Sequence, residues 1–301
     1  MKLFKNIKNW LENQEHLFYL FLFILIVPNL VLCLTEPLSL MAKVCNVLLP
    51  FGCYYLLMTL SRNCGKMLWI LFLFLFFGAF QIVLLYLFGQ SIIAVDMFLN
   101  LVTTNSSEAL ELLDNLTPAI IAVIVLYVPS LILGTISIVR KRKLTAEFIR
   151  RERKRASIVF GISLLSLVGA YVQDPGYELK SDLYPLNVCY NVGLAFQRTA
   201  LTQNYHRTSK DFTFHALPTH LKEKREVYVM VVGETSRALN WQLYGYERET
   251  NPFLSRQPGL IAFPKVLTES NTTHKSVPML MSDATACNYD SIYHQKGIIT
   301  A

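Results

Sequence analysis

Three residues in the last quarter of this chain, Glu234, Thr272 and Thr273, are of types that carry phosphoryl chemistry when a fold brings them together. A threonine hydroxyl attacks phosphorus only when activated, and a metal ion that lowers its pKa is one way to activate it. A carboxylate such as Glu234 is an oxygen donor that zinc or another divalent ion accepts. The order of residues around them suggests how they would be held. Val227–Val232 is a short, β-branched-rich run that reads as a buried strand, and Gly233 ends it. Thr235 or Ser236 can then cap a helix expected over about Arg237–Tyr244, with Gly245 as its stop. Ligands of open α/β sheets sit outside the carboxyl ends of strands, where this reading puts Glu234; a solvated turn carboxylate is an equal account of it. A second β-like run covers about Leu260–Leu267, and Thr272 and Thr273 come just before a helix expected from near Ser276. A hydroxyl at the positive end of a helix suits a phosphate ester. On spacing alone, simple capping by these threonines is the plainer account. Asn271-Thr-Thr273 also fits a glycosylation sequon, a triplet that chance often produces.

The elements that would position these residues begin far upstream. Over half of the 301 residues, 53%, are hydrophobic, and the mean hydropathy is +0.37. That is a membrane composition, so the net charge of +7 reads as topology rather than as nucleic-acid binding. Five spans are expected, at about Leu17–Leu34, Leu38–Leu60, Met67–Phe88, Pro118–Val139 and Ala156–Val172. The first is too long for a signal peptide and lacks a small-x-small cleavage site. Arg62 and Lys66 lie between spans two and three, and Arg140–Lys143 and Arg150–Arg155 lie between spans four and five. Basic loops stay cytoplasmic, which puts the N-terminus inside and everything after span five outside. The same basic loop can touch anionic lipid. The six cysteines contain no CxxC, so neither a zinc knuckle nor a redox pair is supported, and a Cys189–Cys287 disulfide is not expected.

Beyond span three, Asn100, Thr104 and Glu108 recur every fourth residue and so share a helix face. They could grip a lipid head group, or form a solvent-facing stripe. From Gln173 to about Lys224, tyrosines mix with polar residues, which reads as an interfacial bridging segment of short helices. The expected organisation is therefore a transmembrane domain over 1–172, a bridge over 173–224, and an α/β domain over 225–301.

Taken together, Gly233-Glu-Thr-Ser-Arg237, Asn240-Trp241, Tyr244-Gly-Tyr246, Arg248, Thr250-Asn-Pro252 and Thr273-His-Lys-Ser-Val-Pro278 resemble the lipid A phosphoethanolamine transferases, the family of the mobile colistin-resistance enzymes. The resemblance implies five transmembrane helices and an alkaline-phosphatase/sulfatase-like α/β domain with a Zn2+ site. It implies Glu234 as a zinc ligand and Thr273 as the zinc-bound nucleophile. It matches Asn100, Thr104 and Glu108 to the family's head-group stripe, and so favours substrate binding for them. Implied with it are phosphatidylethanolamine as donor, a lipid A phosphate as acceptor, the bacterial inner membrane as location with a periplasmic catalytic domain, and polymyxin resistance as consequence. There are two departures. Where family members often carry a disulfide flanking the nucleophile, this chain has Glu269 and Met279, so the loop is expected to be held by packing or not at all. The family's remaining zinc ligands, an Asp-His pair, lie downstream, whereas this chain stops at Ala301 and reads as the front part of an enzyme, with open sheet edges expected. The rival readings are a membrane phosphoglycerol transferase or related hydrolase, and a non-catalytic truncated membrane protein. A matured-cysteine sulfatase would need Cys-x-Pro-x-Arg, which is absent.

Overall fold

Four helices in the first half of the chain open on a small polar residue whose side chain takes up an otherwise unpaired backbone N–H. Asn13 accepts from the Glu15 amide at 2.9 Å and starts α1, Gln14–Thr35. Ser39 accepts from Ala42 at 3.3 Å and starts α2, Leu40–Met58. Asn63 accepts from Lys66 at 2.8 Å and starts α3, Cys64–Ile70, which α4, Phe72–Phe88, follows. After α5, Ser106–Val139, Thr145 accepts from Phe148 at 3.1 Å and starts α6, Ala146–Gln173. The computed structural model describes residues 10–88, 106–215, 227–233, 236–270 and 272–300, leaving out the side chains of 88 and 106–115.

Among the described residues four helices are long and apolar enough to cross a membrane, and α3 with α4 makes a fifth if that pair, bent by 63°, counts as one span. Span three was expected as one unbroken helix, and the break has a visible cause. α3 is tied to the end of α5: Asn63 Nδ2 donates to the Ser137 and Arg142 carbonyls at 3.1 and 2.9 Å, and Trp69 Nε1 donates to Thr135 Oγ1 at 3.1 Å. α4 then departs on its own course. Span four begins earlier than Pro118, because α5 runs from Ser106 through both Pro118 and Pro129. Membrane helices tolerate such prolines where neighbours satisfy the freed carbonyls.

The chain divides into two compact units, Met1–Gln197 and Arg198–Ala301. In the first, α1 is central: Leu17, Phe18, Phe21 and Leu25 are buried against Tyr55, Met58, Leu68 and Phe148. α2 lies along α6, with Gly52 so close to Phe160 that a Cβ would stand 3.1 Å from its Cα. α5 and α6 leave Ile124, Val125, Ile158, Leu165 and Val172 exposed, as suits lipid-facing surfaces. After α6 come α7, Leu179–Asp182, and α8, Leu186–Gln203. The stretch around α7 is fastened to α1 and α2 by buried polar groups. Asn29 Nδ2 donates to the Asn46 and Tyr184 carbonyls at 2.9 and 2.7 Å, Asn46 Nδ2 donates to the Asp182 carbonyl at 2.6 Å, and the Tyr177 hydroxyl donates to Asn46 Oδ1 at 2.5 Å. Burial of polar groups is tolerable only when they are paired in this way.

The second unit contains α9, Tyr205–Thr208, α10, Pro252–Ser255, and α11, Thr273–Leu280, with 3-10 turns at Ala238–Asn240, Gln242–Tyr244, Ala286–Tyr293 and Ile298–Thr300. No β-strand occurs among the described residues. The runs expected as strands, 227–232 and 260–267, are not strands, since a strand exists only through a ladder and no ladder occurs among the described residues. Val231 and Leu267 are 84% and 95% exposed, which a buried sheet strand would not be. The α/β architecture expected from the sequence is not confirmed: among the described residues this unit has helices and turns and no strand.

Candidate active site

The turn that brings Thr273 into position is built from hydroxyls. The Thr268 hydroxyl donates to the Ser270 carbonyl at 2.8 Å, and the Thr272 amide donates to Ser270 Oγ at 3.4 Å. Ser270 Oγ and Thr272 Oγ1 lie 3.3 Å apart. Thr272 is the N-cap of α11 in extended conformation (φ −124°, ψ 137°), yet its side chain makes no capping bond. The cap is made by its carbonyl, which accepts from the Lys275 and Ser276 amides at 3.1 and 2.9 Å. The helix therefore starts at Thr273, three residues before the expected Ser276. The two threonines are in different situations. Thr272 is half-buried and turned to Ser270, while Thr273 is exposed at the first helical position, with no side-chain hydrogen bond among the described residues. An exposed hydroxyl at the positive end of a helix is placed where a phosphate ester would be stabilised.

α11 is braced from below. Met279 is buried, and the Met281 carbonyl accepts from the Ile298 amide at 2.7 Å. Tyr289 lends its hydroxyl to the His274 carbonyl at 3.3 Å, and Arg198 stacks over the Tyr289 ring at 6.0 Å. Tyr205 donates to the Gln295 carbonyl at 2.8 Å, and the Thr208 hydroxyl donates to the Tyr293 carbonyl. Burial, reinforced by nearby Asp290, raises the Tyr293 hydroxyl pKa above its ordinary value, and the neighbouring Arg198 pulls the other way. The loop before Thr273 is not left to packing, as the sequence suggested. The Glu269 carboxylate accepts from the Ala286 amide, so a charge-assisted hydrogen bond spans the two sides. Sequence reasoning missed this because Glu269 was judged only against a cysteine it replaces.

The helix expected over Arg237–Tyr244 is two 3-10 turns separated by Trp241, whose backbone is extended (φ −96°, ψ 126°). The cause lies ten residues on. Thr250 Oγ1 donates to the Asn240 carbonyl at 2.7 Å and accepts from the Gln242 amide at 3.0 Å, and Asn251 Oδ1 accepts from the Leu243 amide at 3.2 Å. These side chains take the backbone groups that an α-helix would have paired internally. Trp241 stacks on Tyr244 at 5.8 Å and donates to Ser236 Oγ at 2.5 Å. Gly245 ends the turn at φ 96°, a left-handed conformation that favours glycine. Thr250 and Asn251 were part of the sequence motif without a role; their role is to clamp this turn.

Glu234 lies outside the described residues, as do Asn100 and Thr104; Glu108 falls in the first turn of α5, with its side chain not described. Among the described residues no three His, Cys, Asp or Glu side chains come together. A zinc site takes three or four donors, so the described residues, with Thr273 as one oxygen donor, do not by themselves make one. Cys189 and Cys287 are free and exposed.

Comparison with known proteins places this second unit. Residues 226–298 match the sulfatase family model, described as "Sulfatase". The chain is 39% identical over 88 residues to "Phosphoethanolamine transferase EptA" of Escherichia coli (strain K12), covering 28% of this chain and 16% of that protein. It is 36% identical over 88 residues, with the same coverage, to the protein of that name from Salmonella typhimurium. It is 32% identical over 117 residues to "Phosphatidylethanolamine transferase Mcr-1" of Escherichia coli, covering 37% of this chain and 21% of that protein. The chain thus spans about a sixth to a fifth of the length of the curated relatives it matches. No solved structure matches. The resemblance drawn from Gly233–Arg237 and Thr273–Pro278 is supported by these relatives, which are named as transferases.

Proposed function

We propose that this chain, a membrane relative of the phosphoethanolamine transferases, contributes the nucleophile Thr273 to an enzyme that moves phosphoethanolamine from phosphatidylethanolamine to a phosphate of lipid A. Thr273 Oγ attacks the phosphorus of the donor. The bond from phosphorus to the glycerol oxygen breaks, diacylglycerol leaves with a proton, and phosphoethanolamine is esterified to Thr273. A phosphate oxygen of lipid A then attacks the same phosphorus, and the Thr273 oxygen departs and is reprotonated. Positioning is the protein's share of this work. The hydroxyl contacts of Thr268, Ser270 and Thr272 and the Glu269–Ala286 bond hold the start of α11, and the helix N-terminus faces the charge that builds on the phosphoryl oxygens. Zn2+, with Glu234 and Thr273 among its donors and others beyond the described residues, would supply the Lewis acid that makes the hydroxyl a better nucleophile. Asn100, Thr104 and Glu108 hold the donor head group. The chain sits in the bacterial inner membrane, N-terminus cytoplasmic and residues after α6 periplasmic. Adding the amine lowers the negative charge of the outer surface and weakens its attraction for cationic peptides.

The observation that carries this reading is the exposed Thr273 at the first turn of α11, without a side-chain hydrogen bond among the described residues, inside the stretch that matches the sulfatase family. The test is lipid A mass analysis from cells expressing the chain and its variants. Thr273→Ala abolishes the phosphoethanolamine mass increment, and Thr272→Ala keeps it. Equal modification with wild type and Thr273→Ala would sink the reading.

A further inference from the structure

The first half of α6 carries Arg150, Arg151, Arg153, Lys154 and Arg155, with Glu147 and Glu152 as its only acids. Helical spacing sorts these into two faces. On one face, Glu152 is fully buried and accepts from Arg151 Nε and Arg155 at 2.9 Å each and from the Tyr55 hydroxyl at 2.5 Å. On the other, Arg150, Arg153, Lys154 and Ser157 line, together with Arg62, Ala146 and Ile149, an open cavity of about 510 Å3. No acidic side chain lines it. Backbone carbonyls aim two of its guanidinium groups: Arg153 donates to the Thr59 carbonyl at 2.7 Å, and Arg62 Nε to the Leu144 carbonyl at 2.9 Å. Each keeps further N–H groups in hand. Arg150 and Lys154 have no partner among the described residues.

The positive-inside rule accounts for cations in this loop, but not for their gathering around one cavity. In the preceding loop Arg140 and Arg142 reach Glu12 at 3.6 and 3.7 Å. Four like charges around one cavity repel unless an anion sits among them. The cavity lies where α2 ends and α6 begins, and both helices are long and apolar enough to span a membrane, which sets it at head-group level. We propose that this cavity binds the phosphate of an acidic glycerophospholipid from the adjacent leaflet. The guanidinium forks of Arg62 and Arg153 grasp phosphate oxygens, Lys154 and Arg150 neutralise the charge, and the Ser157 hydroxyl donates a further bond. Ile149 and Ala146 meet the glycerol carbons. This site is separate from Thr273 and stands whether or not the chain transfers phosphoethanolamine.

The test uses the full chain in dodecyl maltoside, titrated with dioleoylphosphatidylglycerol and read by native mass spectrometry as lipid retained per chain. The variant R150Q/K154Q removes two cations that have no other described partner, and K141Q/K143Q removes the same charge from the preceding loop. Wild type and K141Q/K143Q retain one lipid at similar concentration, and R150Q/K154Q needs roughly 30-fold more, from the attraction of two cations for an acidic lipid. Inorganic phosphate without lipid gives no thermal stabilisation, whereas the lipid does. Equal weakening in both variants, or none in either, overturns the proposal by reducing the cavity to loop charge. Stabilisation by inorganic phosphate alone overturns the lipid as its source. Unshifted melting of lipid-free R150Q/K154Q shows that the comparison is between folded proteins.

Discussion

Gly65→Ala should open the bundle, because Gly65 is the point where α3 and α5 come closest. A Cβ there would stand 2.1 Å from the Gly134 carbonyl oxygen and 2.9 Å from its carbon. Ordinary contact begins at 3.4 Å, so the two backbones must part by roughly 1 Å at a seam that small residues hold closed. Neither atom belongs to a side chain that can swing away. Overpacking costs about 1–3 kcal/mol where side chains can adjust, and a backbone clash belongs at the top of that range. Gly134→Ala is the comparison. Its Cβ crowds Leu68 Cδ2, at 3.0 Å, the end of a flexible side chain, and lies in ordinary contact with the Gly65 backbone at 3.6 and 3.8 Å. The helix propensity gained with alanine, at most ~1 kcal/mol, nearly cancels that smaller clash. The two variants should differ by about 2 kcal/mol, or several degrees of melting temperature at about 2–4 °C per kcal/mol. Cys64 adjoins the seam, is buried, and lies 3.5 Å from Gln14 Oε1. In a background where it is the only cysteine, maleimide labelling on heating reports the opening directly. Gly65→Ala should label at a lower temperature than Gly134→Ala. Equal melting and equal labelling would refute the assignment of this crossing.

Two further outcomes follow from the polar ties. Glu269→Ala removes the acceptor of the Ala286 amide, whose exchange with deuterated solvent should then quicken by about fivefold, for an exposed bond worth about 1 kcal/mol; Glu269→Gln should fall between, and unchanged exchange would show that packing alone holds the loop. Burial raises the Tyr177 and Tyr184 hydroxyl pKa values above the ordinary 10.0. The folded chain thus keeps protons that the unfolded chain gives up, so this contribution to stability is full below pH ~10 and falls as pH rises beyond it. Melting temperature between pH 9 and 11 should drop, and the drop should shrink in Tyr177→Phe; a pH-independent melt would contradict the buried placement.

The sequence revealed the spanning elements because hydropathy is a local property. Leu17–Leu34 and Leu38–Leu60 fall on α1 and α2 within a few residues. What escaped it depends on distant partners. The break at Leu71 follows from Asn63 reaching residues 137 and 142. The failure of the Arg237–Tyr244 helix follows from Thr250 and Asn251. The runs at 227–232 and 260–267 have strand composition, yet strand pairing is a property of two segments and composition describes one. For the site, motif wording singled out Thr273, while spacing could not separate it from Thr272; their surroundings differ in that Thr272 Oγ1 lies 3.3 Å from Ser270 Oγ.

The central claim is that Thr273 carries the group in transit. Membranes containing the chain should be mixed with phosphatidylethanolamine, quenched in acid, digested, and the peptide bearing residues 272–275 sequenced by mass spectrometry. A phosphoethanolamine ester on Thr273, absent in Thr273→Ala, is the predicted result. A donor-dependent rise in modified lipid A with Thr273 unmodified, or with the ester on Thr272, would contradict it.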